Sequence, residues 1–127
     1  MSLALKVEKA ILVVDDEPSF VSELTAYIED SGFPVEGAFG GLEALKKLEK
    51  SSFSLIILDL RMPRVDGYDV LEILKSNPLT RNIPVIVVTA VSDTQSLFRT
   101  RELGSVDYLI KPFDPKQLIS RIKELIS

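Results

Sequence analysis

Five residues able to do metal or phosphate chemistry stand at the ends of short apolar runs. Asp15 and Asp16 follow Ala10 to Val14 (AILVV), and Asp59 follows Leu55 to Leu58 (LIIL). Thr89 follows Val85 to Val88 (VIVV), and Lys111 follows Tyr108 to Ile110. Each has an ordinary reading when taken alone. The acidic pair suits the N-terminus of a helix starting near Pro18. Asp59 passes for a turn residue, Thr89 for a β-branched strand residue and Lys111-Pro112 for a solvated loop. Brought together, they form a different object. Two carboxylates about 4 Å apart repel by roughly 4 kcal/mol at an effective dielectric near 20. Lys111 offsets one charge of three, and a divalent cation completes the balance. All-oxygen ligands favour Mg²⁺, with Mn²⁺ or Ca²⁺ as substitutes. A carboxylate beside such a cation can act as a nucleophile and form an aspartyl phosphate. Transfer also requires the charge on the phosphoryl oxygens to be neutralised, which the cation, Lys111 and the Thr89 hydroxyl can do. Asp59 closes a central run and is the best candidate nucleophile.

The elements that must position these residues can be read from periodicity. The runs at Ala10, Leu55 and Val85 are apolar on both faces, as in the middle of a parallel sheet. Val35 to Phe39 is less apolar and contains Gly37, so it reads as an edge strand; Tyr108 to Ile110 is a short fifth strand. Between them lie apolar stripes at helical spacing: Phe20, Leu24 and Ile28; Leu42, Leu45 and Leu48; Val70, Leu71 and Leu74; Leu118, Ile122 and Leu125. The stretch from Ser92 to Leu103 is the weakest helix, with only Leu97, Phe98 and Leu103 for apolar contact. Five βα units predict a doubly wound α/β fold, flavodoxin-like, with five parallel strands in the order 2-1-3-4-5 and five helices. Such folds bind ligands outside the carboxyl ends of their strands, where the five residues lie.

Composition removes whole classes of function. The 127 residues fit one domain, and nearly half are apolar. The 15 basic and 19 acidic residues give a net charge of −4, which argues against direct binding to nucleic acid or an anionic membrane. No apolar run is long enough for a membrane span, and a cytoplasmic setting is expected. The chain has no cysteine and no histidine, so thiolate nucleophiles, His-dependent triads and phosphohistidine chemistry of its own are excluded. Residues 1–9 read as an N-terminal tail in which Met1-Ser2-Leu3 has the look of a cloning remnant, with one domain over 10–127.

Four motifs in order carry a resemblance: DDEP (Asp15 to Pro18), LIILDLRMPRVDGYD (Leu55 to Asp69), VIVVTA (Val85 to Ala90) and GSVDYLIKPF (Gly104 to Phe113). Together they resemble the receiver domain of a two-component response regulator, over nearly the whole chain. The resemblance implies that Asp59 is the phosphoacceptor, with Thr89 and Lys111 contacting the phosphoryl oxygens. It implies Mg²⁺ held by Asp16 directly, by Asp15 through water, by Asp59 and by the backbone carbonyl of Arg61. It implies a cis Lys111-Pro112 bond and a Tyr108 ring that turns inward as Thr89 moves. The donor would be a phosphohistidine on a histidine kinase or histidine phosphotransfer protein. A homodimer through the fourth helix, fifth strand and fifth helix is a further implied partner, with Arg121 set to pair with Asp107. Arg99 and Arg101 could form a docking face or a plain solvated one.

Three other readings compete. An aspartate-nucleophile phosphatase of the haloacid-dehalogenase kind needs a second aspartate two residues after the nucleophile, where Arg61 stands. A flavin- or nucleotide-binding protein of flavodoxin type needs a Ser/Thr/Gly phosphate loop where the acidic DDEP stands. A receiver-like docking module that is never phosphorylated remains open.

Overall fold

The computed structural model describes residues 9–126, so the expected N-terminal tail, Met1-Ser2-Leu3 included, lies outside the described residues except for Lys9. Five strands and five helices alternate along it. They are β1 (Ile11–Val14), α1 (Pro18–Asp30), β2 (Val35–Ala38), α2 (Gly41–Lys50), β3 (Leu55–Leu58), α3 (Gly67–Ser76), β4 (Val85–Thr89), α4 (Thr94–Glu102), β5 (Asp107–Ile110) and α5 (Pro115–Ile126). All pairings are parallel and the sheet order is β2-β1-β3-β4-β5. The expected fold class and order are therefore observed.

Burial explains why these segments are strands. Every residue of β1, β3 and β4 is buried, whereas β2 and β5 are partly exposed edges. Alternate residues go to opposite faces. Leu12, Val14, Ile56 and Leu58 pack with Ala44, Val70, Leu71 and Leu74 from α2 and α3. Ile11, Val13, Leu55, Ile57, Ile86 and Val88 pack with Leu24 and Ile28 from α1 and with Leu118, Ile119 and Ile122 from α5. Each such side chain, fully buried, contributes roughly 1.5–3 kcal/mol.

Two helices depart from their expected faces. Leu42 is exposed, and α2 instead turns Gly41, Ala44, Leu45 and Leu48 inward. That set follows i, i+3, i+4, i+7, the spacing of a helix stripe, and a glycine and an alanine hide it from a search for large apolar residues. In α4 the expected contact Phe98 is exposed, and the buried residues are Ser96 and Thr100. Its fully buried side chains are polar, and apolar contact is left to half-buried Leu97 and to Leu103 at its C-cap, which packs on the core.

The start of α3 is tied to the end of β3. Asp66 caps it by accepting from Asp69 N at 2.9 Å, while Asp69 accepts from Asp66 N at 3.1 Å. Gly67 N donates to Leu60 O at 3.0 Å. A Cβ on Gly67 would collide with the carbonyl oxygen of Asp59 and lie 2.7 Å from Leu60 Cα. Only a glycine lets the helix sit on this backbone. Gly67→Ala is expected to lower stability by about 1–3 kcal/mol, near the upper end because both obstacles are backbone. Urea unfolding should show a lower midpoint with an unchanged slope.

Candidate functional site

Parallel register carries the chemistry-bearing residues to one edge of the sheet. Asp59 N donates to Val14 O at 3.0 Å, Asp15 N to Ala38 O at 3.2 Å and Lys111 N to Thr89 O at 2.8 Å. Each bond extends a strand pairing by one residue and brings the following side chain to the same level. Asp15, Asp59 and Thr89 are buried at 1%, 7% and 0% exposure, while Asp16 and Arg61 are exposed. Asp15, Asp16 and Asp59 each offer a carboxylate oxygen, and these three atoms lie within 4.8 Å of one another.

Lys111 stands between the two buried acids but not midway. Its Nζ is 2.6 Å from Asp15 Oδ2 and 3.9 Å from Asp59 Oδ2. The ammonium also sits 3.9 Å above the Phe20 ring, and Phe20 meets Phe113 edge-on with centroids 6.4 Å apart. The Lys111-Pro112 bond is cis, as the resemblance implied. The other oxygen of Asp15 accepts from Glu17 N at 3.0 Å, so Asp15 also shapes the turn into α1. Glu17 itself gives no side-chain cap, and Pro18 opens the helix.

Asp59 is left least satisfied. Its Oδ1 is buried with no hydrogen-bond partner. Burial raises its pKa above the ordinary carboxylate value, and the charge of Asp15 adds to that; the Thr89 hydroxyl, Lys111 and the Arg61 backbone pull the other way. An orphan oxygen, three convergent carboxylates and one lysine fit a hard divalent cation, which prefers oxygen ligands and compensates the excess negative charge.

Tyr108 is already turned inward. Its hydroxyl donates to Val91 O at 2.6 Å, and with Tyr68 it packs against Leu60, Val87 and Val91. Burial is the main reason its hydroxyl pKa is pushed up to about 12, so it remains a donor at any physiological pH. Arg121 does meet Asp107, but within this chain, at 2.7 Å, and it also holds Glu124 at 2.8 Å. Arg99 lies over the Tyr68 ring at 4.0 Å, and Arg101 is exposed.

Phe20, Gly67 and Tyr68 were not singled out in the sequence as parts of the site. Phe20 reads from periodicity only as a core position, although it lies in the first turn of α1, directly after the acidic pair. Gly67 and Tyr68 lie inside the quoted DGYD motif, where their contacts with Asp59 and α4 have no periodic signal.

The pKa of Asp59 gives a signed expectation. A carboxyl raised in the folded state contributes fully below its unfolded value of about 3.9. That contribution is lost as pH rises through the folded value. Metal-free Asp59→Asn should therefore be more stable than the native chain at pH 7, with the difference shrinking as the medium is acidified. Urea unfolding in chelator across pH 4 to 7 checks this; a native chain more stable at pH 7 contradicts it.

Comparison with known proteins matches this geometry. The family model described as response regulator receiver domain matches residues 11–123. A probable transcriptional regulator of Porphyra purpurea, ycf29, is 40% identical over 116 residues, covering 91% of this chain and 56% of its own length. The alkaline phosphatase synthesis transcriptional regulatory protein PhoP of Bacillus subtilis is 40% identical over 118 residues, covering 93% and 48%. This chain spans about half the length of the curated relatives it matches. The signal receiver domain of a histidine kinase from Syntrophus aciditrophicus superposes with TM-score 0.86 at 36% identity, covering 93% of this chain and 89% of that one. With its fold, its strand-end acids and these relatives in agreement, the chain belongs to the response regulator receiver domain family.

Proposed function

We propose that Asp59 is the phosphoacceptor of this receiver domain and that Asp15, Asp16, Asp59 and the Arg61 carbonyl hold Mg²⁺ beside it. The observation that carries this is Asp59 itself, whose Oδ1 is buried and unpartnered, whose Oδ2 lies 3.9 Å from Lys111, and whose carboxylate converges with those of Asp15 and Asp16. A carboxylate oxygen of Asp59 attacks the phosphorus of a phosphohistidine. The P–N bond breaks, the imidazole nitrogen keeps the electron pair, and the P–O bond forms. The bound cation would supply charge neutralisation for the phosphoryl oxygens. Lys111 and the Thr89 hydroxyl supply the rest from this chain. The chain is read as a signalling module that assists only its own phosphorylation and its reversal.

A groove of about 530 Å³ opens beside Lys111, lined by Phe20, Leu24, Tyr27, Pro112 and Phe113. It suits the approach of a histidine kinase or a histidine phosphotransfer protein next to the acceptor. No described helix is long and apolar enough to cross a membrane. A cytoplasmic setting agrees with the cysteine-free sequence. The charge argument against nucleic acid reaches only these 127 residues. Relatives of twice the matched length are named transcriptional regulators, and a nucleic-acid contact made elsewhere in such a protein is compatible with this reading. The fourth-helix, fifth-strand, fifth-helix face exposes Phe98, Val106 and Ile110, which supports it as a homodimer surface.

Since Tyr108 is already hydrogen-bonded to Val91, the phosphoryl group would act on an inward ring by drawing Thr89 and fixing the loop that carries Val91. The Thr89 oxygen accepts a long contact from Val91 N, 3.4 Å, while its hydroxyl acts on the Asp59 carboxylate and would turn to a phosphoryl oxygen there.

Incubation with acetyl phosphate and Mg²⁺ should raise the intact mass by one phosphoryl group, with no gain in chelator or in Asp59→Asn. An unchanged native mass, with the donor shown to be active, would favour a docking module that is never phosphorylated. Tyr108→Ala should keep the mass gain and lose the phosphoryl-dependent change in partner affinity, measured by calorimetry.

A further inference from the structure

Thr89 and Tyr108 are one route from Asp59 to α4. The contacts around Tyr68 form another. The first turn of α3 is seated on the Asp59 peptide, because Gly67 has no Cβ to hold it off. Tyr68 is the next residue. Its hydroxyl donates to Ser96 Oγ at 2.7 Å, and Ser96 Oγ donates to Asp93 Oδ2 at 3.0 Å. Asp93 is the N-cap of α4 and accepts from Ser96 N at 2.7 Å. Arg99, one turn along, lies over the same ring at 4.0 Å. Ser96 and Thr100 are the buried residues of α4, and Thr100 spends its hydroxyl on the helix's own carbonyls. With Phe98 exposed and Leu97 half-buried, Tyr68 is the main polar link between this helix and the body of the domain.

We propose that Tyr68 is a positioning residue that ties the first turn of α4 to the backbone of Asp59, in parallel with Tyr108. The inference rests on Asp59 being the acceptor. It adds that a shift at Asp59 moves the seat of α3, that Tyr68 moves with it, and that α4 follows through Ser96. An ordinary interface hydrogen bond would hold α4 in place without passing on the state of Asp59, and that difference can be measured.

Amide exchange across Thr94–Glu102 of the full chain reads it. At rest, Tyr68→Phe and Ser96→Ala should each speed α4 exchange by about three- to tenfold, the span of one hydrogen bond. The double variant should exchange no faster than Ser96→Ala alone, because Ser96→Ala already removes the Tyr68 link along with the Ser96–Asp93 bond. After acetyl phosphate and Mg²⁺, intact mass should show the same phosphoryl gain in Tyr68→Phe as in the native chain. The accompanying change in α4 exchange should fall by at least half. Additive effects at rest, or a full α4 response in Tyr68→Phe, would overturn the proposal. A native chain that gains no phosphoryl group removes the acceptor reading on its own; the resting comparison then decides the Tyr68 link, and additivity there sinks it.

Discussion

Three carboxylates held together against their own repulsion are the constraint on which the rest of this molecule depends. Nothing in Asp15, Asp16 or Asp59 favours their meeting. The sheet imposes it, through backbone bonds such as Asp59 N to Val14 O that continue the strand pairing past its last apolar residue. Two packed faces hold that register, since slipping β1 or β3 by one residue would turn Leu12 and Leu58 out of one core and Ile11 and Ile57 out of the other. The site is thus stabilised from a distance by side chains that never touch it. The strain surfaces where it is least compensated, at the bare oxygen of Asp59.

Lys111 shows how the resting site divides its one positive charge. It sits on Asp15, which is fully buried and therefore most in need of a partner, and leaves Asp59 at the longer distance. The Phe20 ring under the ammonium and the Phe113 edge beyond it keep the lysine at this station. A charge parked on one carboxylate is available to the oxygens that would arrive at the other.

The parts of this structure visible in the sequence are those with a period. Unbroken apolar runs gave away β1, β3 and β4, and the residue after each run gave away the site. Order and spacing of DDEP, LIILD, VIVVTA and KPF then left one family. The α2 face was misread because its inward residues include Gly41 and Ala44, which carry little hydrophobic signal. The Arg121–Asp107 pair was anticipated, and it forms inside the chain. Phe20, Gly67 and Tyr68 were missed for a different reason: their roles exist only after α1, α3 and α4 have been placed against strand ends far away in sequence. The inward position of Tyr108 was legible only as the end point of a motion.

The polar underside of α4 has one more consequence. A helix held by apolar burial detaches by exposing surface, so its release speeds up with denaturant and carries a heat-capacity change. The buried residues of α4 are Ser96 and Thr100, so beyond Leu97 and the capping Leu103 this helix covers less apolar surface than α1 or α5. Its opening is therefore expected to depend less steeply on denaturant and temperature than the release of α1 or α5, whose apolar faces share one core. Of the five helices, α4 is the one whose displacement costs the core least, so it can carry a signal with little loss of stability.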